Sequence, residues 1–444
     1  MFTRIYLENF RSFEKFELNL TGKGNVPKNL AVVYGENGAG KSNIMSAFVL
    51  LNELQQTMNV RDMYEDLLSQ EAVFNDEKME TLMKQRLIAG MRDMQAIVRD
   101  YRMIGSDAPV VAEYEFYIGN NTGKYRVEFG DEGIVYEKLE YLLTKRKGVH
   151  FECSADGILI NKAIVKDKDL FIDIQAAAKR FWGKHSILAI ITHEIADKSN
   201  SFGYDNLSET FHDVFAELSL LSCYVKIGHR QWNSIYAPLA VFNSADNGRL
   251  SKDKEKQLDL AESVFTQLFC AINSDICRAY YKRSYSDKWV EYSLYLDKKI
   301  AGKVRSIDFA KESTGNHQLL DVLCYLLTAC LGGNIVLDEA DSGIHDLLFK
   351  KILQEISGSI LGQIIMTTHN TTLMETDFAR ESTYILNEDE NGHVTARAIS
   401  SFDKRTYVSN NIRSKYLNNQ YEGLPKVAAI DFAPLIKAIS DAIN

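Results

Sequence analysis

The beginning of the chain shows a clear pattern of apolar and polar positions. Residues 2–20 alternate with a period of two, which predicts two antiparallel strands with a turn near Arg11 and Ser12. The run Leu30–Tyr34 is apolar throughout, as is typical of a buried strand. Apolar residues then recur at helical spacing from Ser42 to about Met58. The N-terminal segment therefore predicts a strand pair, a buried strand and a helix.

The periodicity changes several times further along the chain. Helical spacing without proline continues through about 59–105, which predicts a helical insertion that serves either as a solvated packing arm or as a docking surface. A period of two over about 109–154 predicts an antiparallel β meander. The stretch 171–285 reads as mainly helical, and strands return near 290–310. We expect a chain of alternating α and β segments.

These segments suggest a division of the chain into four parts. We expect an N-terminal lobe over 1–170, a mainly helical middle segment over 171–285, a C-terminal lobe over 286–405 and a tail over 406–444. The two lobes carry the motifs described below, so we expect them to form one site.

Composition places the protein among ordinary globular proteins. Of its 444 residues, 45% are hydrophobic and 25% are charged, and the formal net charge of −9 argues against a dedicated nucleic-acid-coating surface while leaving room for a local basic patch. The six cysteines are scattered and predict reduced thiols. Residues 1–6 do not have the pattern of a signal peptide, and the longest apolar run, near 319–337, is interrupted by Asp321. We therefore expect a cytoplasmic protein with no membrane partner.

A glycine-rich loop follows the predicted strand Leu30–Tyr34. Gly35 to Ser42 reads Gly-Glu-Asn-Gly-Ala-Gly-Lys-Ser, and this sequence between a strand and a helix is the pattern of a phosphate-binding P-loop. Lys41 would reach the β- and γ-phosphates, and Ser42 would offer its hydroxyl to Mg²⁺. The candidate nucleotide-binding residues here are Glu36, Asn37, Gly38, Ala39, Gly40, Lys41, Ser42 and Asn43.

A second strand carries carboxylates at its end. Residues 334–339 read Asn-Ile-Val-Leu-Asp-Glu, which is the Walker B pattern of a buried strand that ends where an open α/β sheet binds its ligand. Asp338 would contribute to the Mg²⁺ shell. Glu339 is suited to orient or activate the attacking water. The alternative for this stretch is a strand that ends in a solvated acidic turn.

Two further stretches flank the Walker B pattern. Ser313 is a candidate N-cap for a helix over 319–330, whose start offers free N–H groups to an anion. A buried strand over 363–368 is followed by His369, which could bond to the γ-phosphate or to the attacking water. We expect His369 to act beside Glu339 and Lys41 in catalysis.

The order of these motifs resembles that of ATP-binding-cassette (ABC)-type ATPases. The N-terminal sequence Leu-Glu-Asn-Phe-Arg-Ser-Phe over 7–13 and the long gap between Lys41 and Asp338 resemble the branch of RecF, Rad50, SMC and OLD. Within that branch the chain is most similar to the stand-alone AAA15/AAA21 ATPases of bacterial defence operons. The tail over 415–425 resembles their Tyr-Leu-x-x-x-Tyr-Gly-x-x-Pro element. The resemblance covers about 1–50 and 305–425.

The resemblance implies an α/β fold of the ABC-type P-loop NTPase head, with a mixed sheet flanked by helices, an antiparallel β subdomain and a helical insertion. It implies two ATP molecules, with Mg²⁺, between two head-to-tail subunits. The signature segment Ser313, Thr314 and Gly315 of one subunit would touch the γ-phosphate held by Lys41 of the other. This signature lacks the second glycine of Ser-Gly-Gly.

Three further residues or segments receive roles from the same resemblance. The D-loop, which crosses the dimer, corresponds to residues 341–343. His369 falls at the switch histidine. Arg11 joins the expected nucleotide-binding residues. Nothing in the sequence places the glutamine of the family's Q-loop.

The function implied is that of a slow, regulatory ATPase. Similarity to the ATPase subunits of Septu, PARIS and AbiL defence systems implies a homodimer or larger assembly that controls a separate effector, expected to be a nuclease. The chain carries no Toprim or H-N-H pattern of its own. A RecF-like ATPase that binds DNA directly remains open, with basic clusters at 145–147 and at Lys252, Lys254 and Lys256. So does a nucleotide-gated scaffold with negligible turnover.

Overall fold

The computed structural model describes residues 1–69, 92–198, 204–228, 230–402, 411–424 and 432–443. Its strands are β1 (Phe2–Phe10), β2 (Phe13–Asn19), β3 (Leu30–Tyr34), β4 (Val110–Ile118), β5 (Asn121–Gly130), β6 (Gly133–Leu142), β7 (Lys147–Ser154), β8 (Gly157–Ile160), β9 (Leu221–Ile227), β10 (Arg230–Ser234), β11 (Asn247–Ser251), β12 (Ile276–Tyr285), β13 (Trp289–Ile300), β14 (Lys303–Asp308), β15 (Asn334–Asp338), β16 (Gln363–Thr367), β17 (Thr383–Glu388) and β18 (Val394–Ala398). Its α-helices are α1 (Lys41–Ser69), α2 (Met94–Tyr101), α3 (Lys168–Phe181), α4 (Ile187–Asp197), α5 (Glu209–Ser219), α6 (Lys256–Ile272), α7 (Thr314–Cys330), α8 (Asp346–Ser357), α9 (Ala379–Ser382), α10 (Ile399–Phe402), α11 (Ile412–Leu417) and α12 (Phe432–Ile443).

The central sheet positions the predicted site. Its strand order is β10-β9-β15-β16-β3-β17-β18, and the pairings among β9, β15, β16, β3 and β17 are all parallel. Every residue of β3, β15 and β16 is buried, as expected for parallel strands covered on both faces. Because the carboxyl ends of these strands share one edge, the P-loop after β3 and the carboxylates after β15 lie at the same edge with only β16 between them.

Helix α1 packs between the central sheet and a second, antiparallel sheet. That second sheet has the order β2-β1-β4-β5-β6-β7-β8. Residues 44–51 of α1 are all buried, and the rings of Phe2 and Phe48 meet edge to face at 5.2 Å. Tyr114 on β4 donates a hydrogen bond to the backbone oxygen of Ala47. The N-terminal hydrophobic core is therefore a sheet–helix–sheet sandwich.

The other face of the central sheet packs on a separate core. Side chains of β3 alternate, so Ala31 and Val33 face the α1 side while Val32 and Tyr34 face the opposite side with α7. A third sheet, β11-β13-β12 with β14 along β13, adds its apolar face to this second core. The fold thus has two cores, one on each face of the central sheet.

The predicted fold class is confirmed: the structure has a mixed central sheet flanked by helices and an antiparallel β subdomain. The strand pair with its turn at Arg11 and Ser12 and the meander over about 109–154 are present. The meander continues into β8 and includes β1 and β2. Helix α1 runs to Ser69 instead of ending near Met58, and residues 70–91 of the predicted helical insertion lie outside the described residues.

Helices form the larger part of the regular structure in the middle segment 171–285, and strands that were not predicted form the rest. It contains most of α3, all of α4, α5 and α6, and also β9, β10, β11 and β12. Strand β9 pairs in parallel with β15 and so belongs to the central sheet. The apolar run of β9 is too short to distinguish a strand from a buried helix by periodicity alone, so this strand was not predicted. The domain boundaries themselves stay a prediction. In the described ranges, no helix is both long enough and apolar enough to cross a membrane.

Candidate active site

The P-loop adopts a conformation that its glycines make possible. Gly38 and Gly40 have φ angles of 93° and 89°, in the left-handed region that favours glycine. A Cβ atom on Gly40 would lie 2.5 Å from the ring of Phe13, so the β1–β2 turn covers the loop closely. Asn43 Nδ2 also donates to Ser12 Oγ at 2.7 Å. The N-terminal hairpin therefore holds the loop at the start of α1.

Lys41 is buried at the centre of this loop. Its Nζ donates to the backbone oxygens of Gly35 at 2.9 Å and of Glu36 at 3.1 Å. Burial lowers the pKa of Lys41, while the carboxylates of Glu339 and Asp338 oppose that shift. Because phosphate oxygens can replace the two carbonyl acceptors, the ammonium group is placed to bind a polyphosphate.

Asp338 lies buried at the end of β15 and meets the P-loop. Its Oδ1 accepts a hydrogen bond from Thr367 Oγ1 at 2.6 Å, and its carboxyl group also bonds to the hydroxyl of Ser42. Burial raises the pKa of Asp338, and these two hydroxyl bonds work against the increase. The structure thus brings together the two residues predicted to bind metal. A carboxylate beside a hydroxyl is a donor set that fits Mg²⁺, which prefers hard oxygen ligands.

Glu339 and His369 form a pair at the open side of the site. Glu339 Oε1 lies 3.2 Å from His369 Nε2, and their side chains are 42% and 51% exposed. The backbone of Glu339 has a φ of 48°, and its N–H donates to Thr367 Oγ1 at 3.0 Å. The same threonine therefore positions both acidic residues. Two predicted catalytic residues face solvent next to the buried Lys41–Asp338 pair.

The signature segment packs against the loop that follows β15. A Cβ atom on Gly315 would lie 2.9 Å from the backbone oxygen of Gly343. Ser313 caps α7 as predicted, because its Oγ accepts from Asn316 N at 3.3 Å. Ser313 and Thr314 are exposed. In the part of the chain that the structure describes, no hydrogen bond joins residues 313–315 to the P-loop.

Arg11 points into a different cluster. Its φ angle is 54°, and its guanidinium lies 5.1 Å from the centre of the Tyr101 ring. Burial lowers its pKa. Arg92 and Glu53 form an ion pair at 2.8 Å in the same region. A nucleotide contact for Arg11 stays a prediction, and in this conformation the side chain packs along α1 toward α2.

Three residues that sequence reasoning missed support the site. Thr367 bonds to both acidic residues, as described above. Gln318 on α7 donates to the backbone oxygen of Ala340 at 3.0 Å and accepts from Tyr224 OH at 2.9 Å. The ring of Tyr416 lies 5.9 Å from that of Tyr34, directly before the P-loop. Thr367 was marked only as a polar residue at the end of an apolar strand, and Tyr416 only by its place in the 415–425 element. Nothing in the sequence marked Gln318.

Comparisons with known proteins identify a family. A family model described as AAA ATPase domain, AAA_15, matches residues 1–312. The SMC head domain from Thermotoga maritima is 13% identical over 89% of this chain and 98% of that chain, with a TM-score of 0.38. A structure of an SMC head bound to the C-terminal winged-helix domain of ScpA is 12% identical over 91% and 99%, with a TM-score of 0.46. Among curated proteins, none matches this sequence.

Proposed function

The chain belongs to the AAA ATPase domain family AAA_15 and is an ATPase, and we propose that it works as a nucleotide-driven switch. In this proposal ATP and Mg²⁺ bind at the edge of the central sheet and two copies close around them. Slow hydrolysis then releases the closed state. The observation that carries the proposal is the geometry of the catalytic pair, because Glu339 and His369 touch but stay about half exposed beside the buried Lys41.

Each side chain has a defined task in this proposal. Lys41 exchanges its two carbonyl acceptors for β- and γ-phosphate oxygens. Ser42 and Asp338 would hold Mg²⁺, and the bound ion would supply positive charge next to the phosphates. Glu339 accepts a hydrogen bond from the attacking water and takes up its proton. His369 holds the Glu339 carboxylate in place and donates a hydrogen bond toward the γ-phosphate.

A second copy completes the site in the proposed head-to-tail dimer. The first turn of α7 presents free backbone N–H groups beside the exposed hydroxyls of Ser313 and Thr314. These groups favour an anion, and the γ-phosphate of the other subunit is the anion that the arrangement would receive. ATP would then bind the closed dimer more tightly than the open chain and shift the population toward it.

The partner in this proposal is a separate effector protein, a nuclease in bacterial anti-phage defence. It is supported by the similarity of the motif order and of the 415–425 element to the ATPase subunits of such systems. Recovery of a nuclease with the protein from its native host in one nucleotide state, but not in the other, supports this part of the proposal. Recovery of no partner with either ATP or ADP contradicts it.

Substitution of the proposed base tests the switch itself. We expect Glu339→Gln to lower ATP turnover by about 10²- to 10⁴-fold and to give a dimer in ATP with Mg²⁺ but not in ADP. Light scattering after gel filtration measures the assembly, and phosphate release measures turnover. Glu390→Gln, at an exposed position on the β17–β18 turn, is the matched control and should behave as wild type. A Glu339→Gln variant that stays monomeric in ATP would refute the proposed dimer.

A further inference from the structure

The third sheet has an outer face that nothing in the described structure covers. Strand β13 pairs with β11, β12 and β14, and its buried residues Val290, Leu294 and Leu296 face the second core. On that inner side, Thr266 Oγ1 of α6 donates to the backbone oxygen of Ala279 at 2.9 Å. Because strand side chains alternate, the intervening residues point away from α6. The outer face is therefore a four-stranded surface.

Cations and aromatic rings are interleaved on this outer face. The guanidinium of Arg278 lies 5.0 Å from the centre of the Tyr280 ring, and Lys282 Nζ lies 3.7 Å from that of Tyr295. Arg249 is 5.3 Å from the Trp289 ring, which is 43% exposed. We call these six residues the basic–aromatic face. The rings of Tyr280 and Tyr295 lie 5.9 Å apart, on neighbouring strands.

The carboxylates of the same face accept hydrogen bonds from hydroxyl groups and keep their negative charge. Tyr295 OH donates to Asp308 Oδ2 at 3.0 Å, and Ser306 donates to Asp297. Ser284 Oγ donates to Glu291 Oε2 at 3.2 Å. In the described ranges, none of the three cations of the basic–aromatic face forms an ion pair. They remain positive and accessible on a chain whose net charge is −9.

We propose that the basic–aromatic face binds single-stranded nucleic acid. The three cations would leave the rings that they now cover and contact backbone phosphates. The rings of Trp289, Tyr280 and Tyr295 would then stack against bases. Strand β13 is about 40 Å long at 3.3 Å per residue, which is enough for several nucleotides. At its Trp289 end, Lys252 N donates to the backbone oxygen of Lys288 at 3.2 Å, so two further exposed lysines lie beside that end.

The chemistry favours single strands over the other polyanions. A duplex hides its bases, so it cannot use the three rings. An acidic peptide could bind the cations, but it has no bases to stack on the rings. Its carboxylates are also less regularly spaced than the phosphates of a nucleic acid. Single-stranded DNA and RNA share the phosphates and unstacked bases that this face would recognise. This inference goes beyond the proposed switch and does not depend on ATP hydrolysis.

Binding by the full chain, measured without nucleotide by fluorescence anisotropy, tests the inference. The probes are labelled single-stranded DNA and RNA of about 20 nucleotides. We expect binding that weakens steeply with salt, and the two probes show which nucleic acid is preferred. The double substitution Arg278→Ala and Lys282→Ala should lower the slope of log K against log salt by about 1.4, at about 0.7 for each phosphate contact. Lys145→Ala with Arg146→Ala is the matched control at another exposed basic cluster and should leave the slope unchanged.

A second variant tests the rings independently of charge. Trp289→Ala should weaken single-strand binding by about 5- to 150-fold, as expected for loss of one stacked base, and thermal unfolding of the same sample checks that the variant stays folded. Absence of single-strand binding by the wild type would overturn the inference. Equal affinity for a duplex or for polyglutamate would overturn it as well, and so would loss of binding in the 145–146 control alone.

Discussion

Thr367 holds both acidic residues of the site, Asp338 and Glu339, so its substitution should disturb both. Its hydroxyl donates to Asp338 Oδ1 at 2.6 Å and accepts from Glu339 N at 3.0 Å, and the residue is fully buried. Thr367→Val keeps the shape and the β-branch but removes both hydrogen bonds. We expect the variant to be less stable and to hydrolyse ATP more slowly.

The magnitude follows from the two bonds. A hydrogen bond to a buried charged carboxylate contributes about 1.5 to 3 kcal/mol. The N–H of Glu339 is only partly buried, so water can replace Thr367 as its acceptor. Loss of this second hydrogen bond therefore costs only about 1 kcal/mol. We therefore expect a decrease of about 3 kcal/mol in the free energy of unfolding. The pKa of Asp338, already raised by burial, should rise further, which moves the acidic limb of the ATPase pH profile to higher pH.

Denaturant unfolding and ATP turnover measured on the same samples check this reasoning. Thr328→Val is the matched control, since Thr328 is equally buried and donates at 2.7 Å to the backbone oxygen of Cys324, which also accepts a helical N–H. That control should cost only about 1 kcal/mol and leave turnover unchanged. Equal losses of stability in the two variants, with normal turnover in both, would refute a joint role for Thr367.

Two further outcomes follow from the packing of single residues. Gly315→Ala should weaken ATP-driven dimerisation by about 5- to 150-fold, because overpacking against the Gly343 carbonyl costs about 1 to 3 kcal/mol. Gly358 has open space around it, so Gly358→Ala is the control and should have no effect. Light scattering measures the dimer in both variants. Burial raises the pKa of Glu137 from its ordinary 4.5 to about 7. The stabilisation that comes from the protonated side chain is therefore complete below pH 4.5 and is lost as the pH rises to about 7. Urea unfolding at several pH values should therefore show a decrease of about 3 kcal/mol over this window in the wild type that is absent in Glu137→Gln.

Local patterns were sufficient to predict the elements that carry the chemistry. The strand Leu30–Tyr34 and the strand ending at Asp338 lie where continuous apolar runs placed them. Ser313 caps α7 as its residue type suggested. These predictions succeeded because each depends on a few neighbouring residues: an apolar run, a capping hydroxyl, or glycines that permit positive φ. The shared edge of the sheet then followed from the parallel order of the strands.

Longer-range features could not be inferred in the same way. Strand β9 joins the central sheet only because β15 offers it a free parallel edge, which a window of seven residues does not reveal. The conformation of Arg11 depends on the ring of Tyr101, which is ninety residues away in the chain. The bond from Gln318 to the backbone of Ala340 likewise depends on how α7 meets the loop after β15. Tertiary contacts decided each of these positions.

The change of backbone direction after β15 explains how two adjacent carboxylates acquire different roles. If the strand continued, alternation would place Asp338 and Glu339 on opposite faces of the sheet. Instead Glu339 takes a φ of 48°, and Thr367 holds its N–H, so the chain turns at the edge of the sheet. Asp338 thereby stays buried beside Ser42, while the Glu339 side chain turns outward to His369. Asp338 is therefore buried enough to bind a metal ion, and Glu339 is exposed enough to contact water.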